Sequence, residues 1–167
     1  MTPTLDPNQF IDPAVKRIRS LLRTAANQPT VKSFVLTSSS SACTTAPNTN
    51  IVVLDKDTWN EQSVEQAYSL PDSHPMKPWQ IYSASKTLVE QAAWKFVKEE
   101  NPGFILNTVL PCANFGPILD SKQTASTAGW VRDAYTKGDI TFLVCPRKSP
   151  FEVHLAARID RCWLWLV

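Results

Sequence analysis

Glycine is scarce: the only four among 167 residues are Gly103, Gly116, Gly129 and Gly138. Neither GxxGxxG nor GxGxxG can be written from them, so these residues contain no glycine turn of the kind that cradles a dinucleotide pyrophosphate. Cysteine is equally sparse. Cys43, Cys112, Cys145 and Cys162 stand apart, with no CxxC pair and no histidine at ligand spacing, so neither a zinc site nor a disulfide framework is predicted and no metal ligand is assigned. An excess of one charge is also missing, with 17 basic against 15 acidic side chains and no like-charged block. Nothing therefore favours nucleic acid or an anionic membrane as a partner. No apolar run approaches the roughly 18 residues of a membrane span, and residues 1–12 lack the basic and apolar regions of a signal peptide. A soluble, cytoplasmic chain with reduced thiols and no membrane partner is expected.

What is present alternates between two periodicities. Asp12 before Pro13 is a helix start signal, and apolar residues recur at Ala14, Ile18, Leu21, Leu22 and Ala25 until Pro29, which predicts an amphipathic helix. Residues 31–37 (VKSFVLT) form a short run rich in β-branched residues that ends in four serines, Ser38 to Ser41; the run reads as a buried strand. A long connection follows, with a strand-like piece at 51–54 and a short helix near 61–68. Residues 81–100 are again helical, with Leu88, Ala92, Phe96 and Val97 on one face and Glu90, Lys95, Lys98 and Glu99 mostly off it. Asn101-Pro102-Gly103 ends that helix, and residues 104–110 (FILNTVL) predict a second buried strand closed by Pro111. A further helix is expected over 124–136 and a strand over 140–144. Helix, strand, helix, strand in this order implies a parallel sheet with right-handed crossovers. Trp59, Trp94 and Trp130 read as packing residues, and His74 and His154 receive no role.

The chemistry in this pattern is a tyrosine four residues before a lysine. At the start of a helix Tyr82 and Lys86 share a face, so their side chains can converge. An ammonium held beside a phenol favours the ionised form and eases proton exchange. Taken alone, the pair also fits a surface tyrosine and a solvated lysine, and the serine cluster also fits a flexible turn.

Together these segments carry a resemblance. VKSFVLTSSSSA, YSASKTLVEQAAWKFVKEENPGFILNTVLP and ANFGPIL, in this order, resemble the extended short-chain dehydrogenase/reductases of the NAD-dependent epimerase/dehydratase superfamily, in particular the branch of dihydroflavonol-reductase-like and fungal aldehyde/ketone reductases. The resemblance implies an α/β fold, a partial Rossmann-like parallel sheet with flanking helices that lacks the first βαβ units. Residues 1–145 would form the C-terminal portion of an NAD(P)-binding domain with part of the substrate region, and residues 146–167 an atypical tail. It implies NADP, or NAD, as cofactor and a small-molecule carbonyl substrate. By resemblance Tyr82 protonates the carbonyl oxygen, Lys86 tunes Tyr82 and bonds the cofactor ribose, and Ser39, with Ser40 as the fallback, orients the oxygen. Pro111, Cys112 and Asn114 match the segment that packs against the nicotinamide end, although Cys112 also reads as a small buried filler. Relatives carry roughly 70 to 90 further residues before this region, three units at about 30 residues per βαβ motif. Arg17, Ile18 and Ser20 stand where relatives tend to have Gly, Thr and Asn, so no catalytic asparagine is carried over. The alternative expectation is a truncated, inactive remnant that acts, if at all, as a binding protein, with self-association through an uncovered sheet edge.

Overall fold

The computed structural model describes residues 5–44, 54–112, 114, 126–138, 155–159 and 162–166. The strand reading at 140–144, and that at 51–54 apart from Leu54, lies outside them. Helix α1 (Asn8–Ala26) leads to strand β1 (Ser33–Thr37) and a short 3-10 turn (Ser40–Ala42); helices α2 (Glu61–Ser69) and α3 (Lys77–Glu100) precede strand β2 (Ile105–Leu110). Helix α4 (Ser126–Lys137) and strands β3 (Leu155–Ile159) and β4 (Cys162–Leu166) follow.

Helices α1 and α3 begin earlier than their apolar periodicity predicts, because other groups supply the ends. In α1 the start lies before Asp12 rather than at it, and Pro13 falls inside the helix. The Asp6 carboxylate accepts from the Asn8 backbone N–H at 2.9 Å and from its side-chain amide at 3.0 Å, which meets a donor that a helix N-terminus otherwise leaves unpaired. Helix α3 begins at Lys77, with a proline in its first turn where the missing N–H costs nothing. The Lys77 side chain is buried, and its Nζ donates to the Leu70 carbonyl at 2.6 Å and lies 3.7 Å from Asp72, closing the connection from α2. At the other end Asn101 takes the left-handed conformation at φ 43°, its N–H bonded to the Val97 carbonyl at 3.0 Å.

The sheet order is β1-β2-β3-β4. β1 and β2 are parallel, with Ser33 opposite Ile105 and Thr37 opposite Val109, as a crossover through α2 and α3 requires. β3 and β4 lie inside the tail from which no element was expected; β3 pairs antiparallel to β2, and β4 pairs antiparallel to β3. The parallel sheet of the sequence reading is therefore two strands wide, with an antiparallel hairpin beside it.

One face of the β1-β2 pair meets the helices. Phe34, Leu36 and Leu106 pack with Ile18 and Leu22 of α1 and with Ala92, Ala93 and Phe96 of α3, and the rings of Phe34 and Phe104 lie 5.7 Å apart. Burying Leu22 and Leu106 completely contributes about 1.5–3 kcal/mol each. A second cluster joins Ile11, Ala67, Ile81 and Ala84 across α1, α2 and α3. Leu21, expected inside, is exposed. The opposite face of the strands departs from the sequence reading: two apolar runs predict strands buried on both sides, yet Val35 is 59% and Ile105 57% exposed. Farther along the same face Asn107 and Val109 are half-buried, so the exposed part lies at Val35 and Ile105.

Candidate active site

The serine tip of β1 is held from two directions. Ser38 N–H donates to the Val109 carbonyl at 2.8 Å and Ser40 N–H to the Pro111 carbonyl at 3.0 Å. This continues the parallel ladder past the regular strands and sets Ser39 alongside residues 110 and 111. The 3-10 turn that follows is tied to the start of α2 by Asn60. Its N–H donates to the Ala42 carbonyl at 2.9 Å and its side-chain amide to the Ser41 carbonyl at 2.8 Å, while its Oδ1 accepts from Ser63 N–H at 3.1 Å and caps α2.

Helix α3 brings the second set of groups. Ser83, Thr87 and Glu90 are fully buried on one stripe, and Thr87 Oγ1 donates to the Ser83 carbonyl at 2.9 Å and lies 3.4 Å from the Ala42 carbonyl. Tyr82 and Lys86 precede Ser83 and Thr87 by one residue each, so they occupy the neighbouring stripe, turned toward the open side. Tyr82 is 43% exposed. Its ring lies 5.4 Å from that of Trp79, and Lys86 Nζ sits over it at 5.9 Å from the centroid, within cation–π range. The fourfold spacing thus brings Tyr82 and Lys86 together.

Ser39 is placed differently. It is 6% exposed, its backbone is extended at φ −159° and ψ 150°, and its Oγ accepts from Ser41 N–H at 3.2 Å and from Ser41 Oγ at 2.9 Å. It is hydrogen-bonded to Ser41 and not to Tyr82. Ser40, the fallback, is half-buried. Pro111 is half-buried beside the serine tip. Cys112 is exposed, which corrects its reading as a buried filler: it lies past the last ladder bond, where the chain leaves the sheet, while Cys43 is the cysteine that fills a buried place beside Ala42 and Leu110. Asn114 is farther along and is tied to α4, its N–H donating to Thr127 Oγ1 at 3.1 Å and its carbonyl accepting from the same hydroxyl.

Glu90, read as lying off the packed face, is fully buried. Its Oε2 accepts from Ser38 Oγ at 2.6 Å, and its Oε1 accepts from Thr108 Oγ1 at 2.8 Å and from Trp94 Nε1 at 3.4 Å. Hydroxyls on both strand ends can satisfy a buried carboxyl group that would otherwise be costly. The available signal was positional: Glu90 falls three residues after Thr87 and three before Ala93, both buried. Among the described residues no cluster of His, Cys, Asp and Glu could hold a metal ion, and no helix is long and apolar enough to cross a membrane.

No protein-family model matches the chain. Individual relatives do. The chain is 42% identical over 130 residues to the NAD-dependent epimerase/dehydratase terH of Aspergillus terreus, covering 78% of this chain and 38% of that protein. It is 44% identical over 130 residues to aldehyde reductase 2 of Sporidiobolus salmonicolor, covering 77% and 38%, and 41% identical over 146 residues to the ketoreductase adrE of Penicillium rubens, covering 87% and 41%. Among solved structures, a reductase engineered to attenuate substrate inhibition in asymmetric catalysis matches at a TM-score of 0.58 with 29% identity, over 74% of this chain and 38% of that one. The yeast methylglyoxal/isovaleraldehyde reductase Gre2, complexed with NADPH, shares the fold at a TM-score of 0.61 and 23% identity, over 90% of this chain and 43% of that one. By sequence and by fold the chain is similar to these NAD-dependent epimerase/dehydratases and reductases, and it spans 38% to 41% of the length of the three curated relatives.

Proposed function

We propose that this chain carries the carbonyl-reducing half of an extended short-chain dehydrogenase/reductase, which reduces an aldehyde or ketone to an alcohol with NADP, or NAD, as cofactor. The observation that carries the reading is the pairing of Tyr82 with Lys86 on the stripe of α3 next to the one that grips the serine tip. A bound NAD(P)H supplies the hydride that the carbonyl carbon accepts. The Tyr82 hydroxyl gives its proton to the carbonyl oxygen as the C–O double bond opens, and the Lys86 ammonium stabilises the phenolate left behind. Ser39 Oγ, accepting from Ser41, keeps its own O–H to donate to the substrate oxygen. Tyr82, Lys86, Pro111, Cys112 and Asn114 would meet the nicotinamide end of the cofactor. For its pyrophosphate the fit is lacking, since these residues contain no glycine turn, and no step is assigned there. The test is loss of NADPH absorbance with a panel of aldehydes and ketones: Tyr82→Phe is expected to lower turnover by about 100-fold or more, and undiminished turnover in that variant refutes the assignment.

A second reading, a binding protein without catalysis, draws on the exposed part of the sheet face at Val35 and Ile105. On it the chain self-associates through that face or through the edge of β1 that no strand pairs among the described residues, and no carbonyl compound is turned over.

A further inference from the structure

We infer that Glu90 is a positioning residue for this reaction, orienting Ser39 through its neighbour Ser38; the inference rests on the carbonyl-reduction reading. In an extended segment consecutive side chains leave the chain on opposite sides. The segment is extended at the serine tip, by the φ −159° and ψ 150° of Ser39 and by the alternating bonds from Ser38 N–H to Val109 and from Ser40 N–H to Pro111. Whatever holds the Ser38 side chain therefore also decides the side on which Ser39 emerges. Ser38 is held by Glu90 Oε2 at 2.6 Å, on the side of α3. Ser39 then turns the other way, into the 3-10 turn, where Ser41 meets its Oγ.

The same carboxyl group holds the second strand through Thr108 Oγ1 at 2.8 Å. One side chain of α3 thus links the ends of β1 and β2 to the helix that carries Tyr82 and Lys86. Glu90 follows Tyr82 by eight residues, about 12 Å along the axis, so it touches neither the substrate oxygen nor the phenol. Its influence is geometric, and small errors of geometry are expensive in catalysis: about 1 Å of misplacement can cost on the order of 100-fold.

The experiment compares Glu90→Gln and Ser38→Ala with Glu99→Gln, which makes the same carboxyl-to-amide change at an exposed position on the same helix. Aldehyde reduction is measured on samples whose near-UV dichroism shows a folded core. Glu90→Gln is expected to lower kcat by about 10-fold to 100-fold with KM within about twofold. Ser38→Ala should do the same, and the double variant should lose no more than the worse single one. Glu99→Gln should match the parent chain. Parent-like kcat in folded Glu90→Gln or folded Ser38→Ala overturns the inference, as does additive loss in the double variant. Should Glu90→Gln fail to fold, Ser38→Ala, which removes a single hydroxyl, decides the matter. If the parent chain reduces no carbonyl compound, the reductase reading fails by itself. The positioning claim is then judged by the Ser39 χ1 rotamer from NMR scalar couplings: redistribution in Ser38→Ala supports it, and an unchanged rotamer overturns it.

Discussion

Replacing Glu90 by leucine separates the polar network from the space it fills. The side chains are similar in size, so the main change is chemical. Ser38 Oγ, buried, loses its 2.6 Å acceptor, and Thr108 Oγ1, also buried, loses its 2.8 Å acceptor. A buried donor left without its partner costs about 1–3 kcal/mol. Trp94 Nε1, at 3.4 Å and half-buried, adds little. Removing the desolvation cost of the carboxyl group offsets part of this, which leaves a net loss of about 2–4 kcal/mol, a large share of the roughly 5–15 kcal/mol typical of a domain. Urea unfolding followed by far-UV dichroism measures it. The triple replacement Ser38→Ala, Glu90→Leu and Thr108→Val also removes the two hydroxyls that bonded the carboxyl group, and it should recover to within about 1 kcal/mol of the parent chain. If Glu90→Leu costs less than about 0.5 kcal/mol, or if the triple variant is no more stable than the single one, the energetic reasoning about buried acceptors is wrong.

Tyr68 donates to Asn8 Oδ1 at 3.3 Å, and burial first, then the negative charges of Asp12 and Asp6, push its hydroxyl above its ordinary value of 10.0. The folded state thus favours the protonated phenol, and the stability this contributes is complete below about pH 10 and lost as the pH rises through the higher folded-state value. Unfolding midpoints across the alkaline range should fall less steeply in Tyr68→Phe than in the parent chain. Asn101 holds a positive φ of 43°, so Asn101→Ala should lose about 1 kcal/mol by chemical denaturation while Asn101→Gly loses none. Under the self-association reading, Val35→Lys on the exposed part of the sheet face should shift sedimentation toward the monomer; an unchanged distribution removes that face from the interface.

The local elements were legible because each rests on short-range chemistry. The run at 31–37 contains β1, the period of residues 81–100 contains most of α3, and the spacing of Tyr82 and Lys86 brings those two side chains to one open stripe. What the sequence by itself determined is this set of pieces, since helix periodicity, strand composition and an i,i+4 pair act within a few residues of chain. Only the tertiary structure decided which faces were covered and which polar groups met. Val35 and Ile105 have the composition of core residues and are exposed. Glu90 has the composition of a surface residue and is buried, because Ser38, 52 residues away in the chain, and Thr108, 18 away, bring hydroxyls to it. The physical reason is that burial of a charged or apolar side chain depends on the partner across the contact, and that partner is chosen by the packing of α3 against two strand ends rather than by any neighbour in the chain.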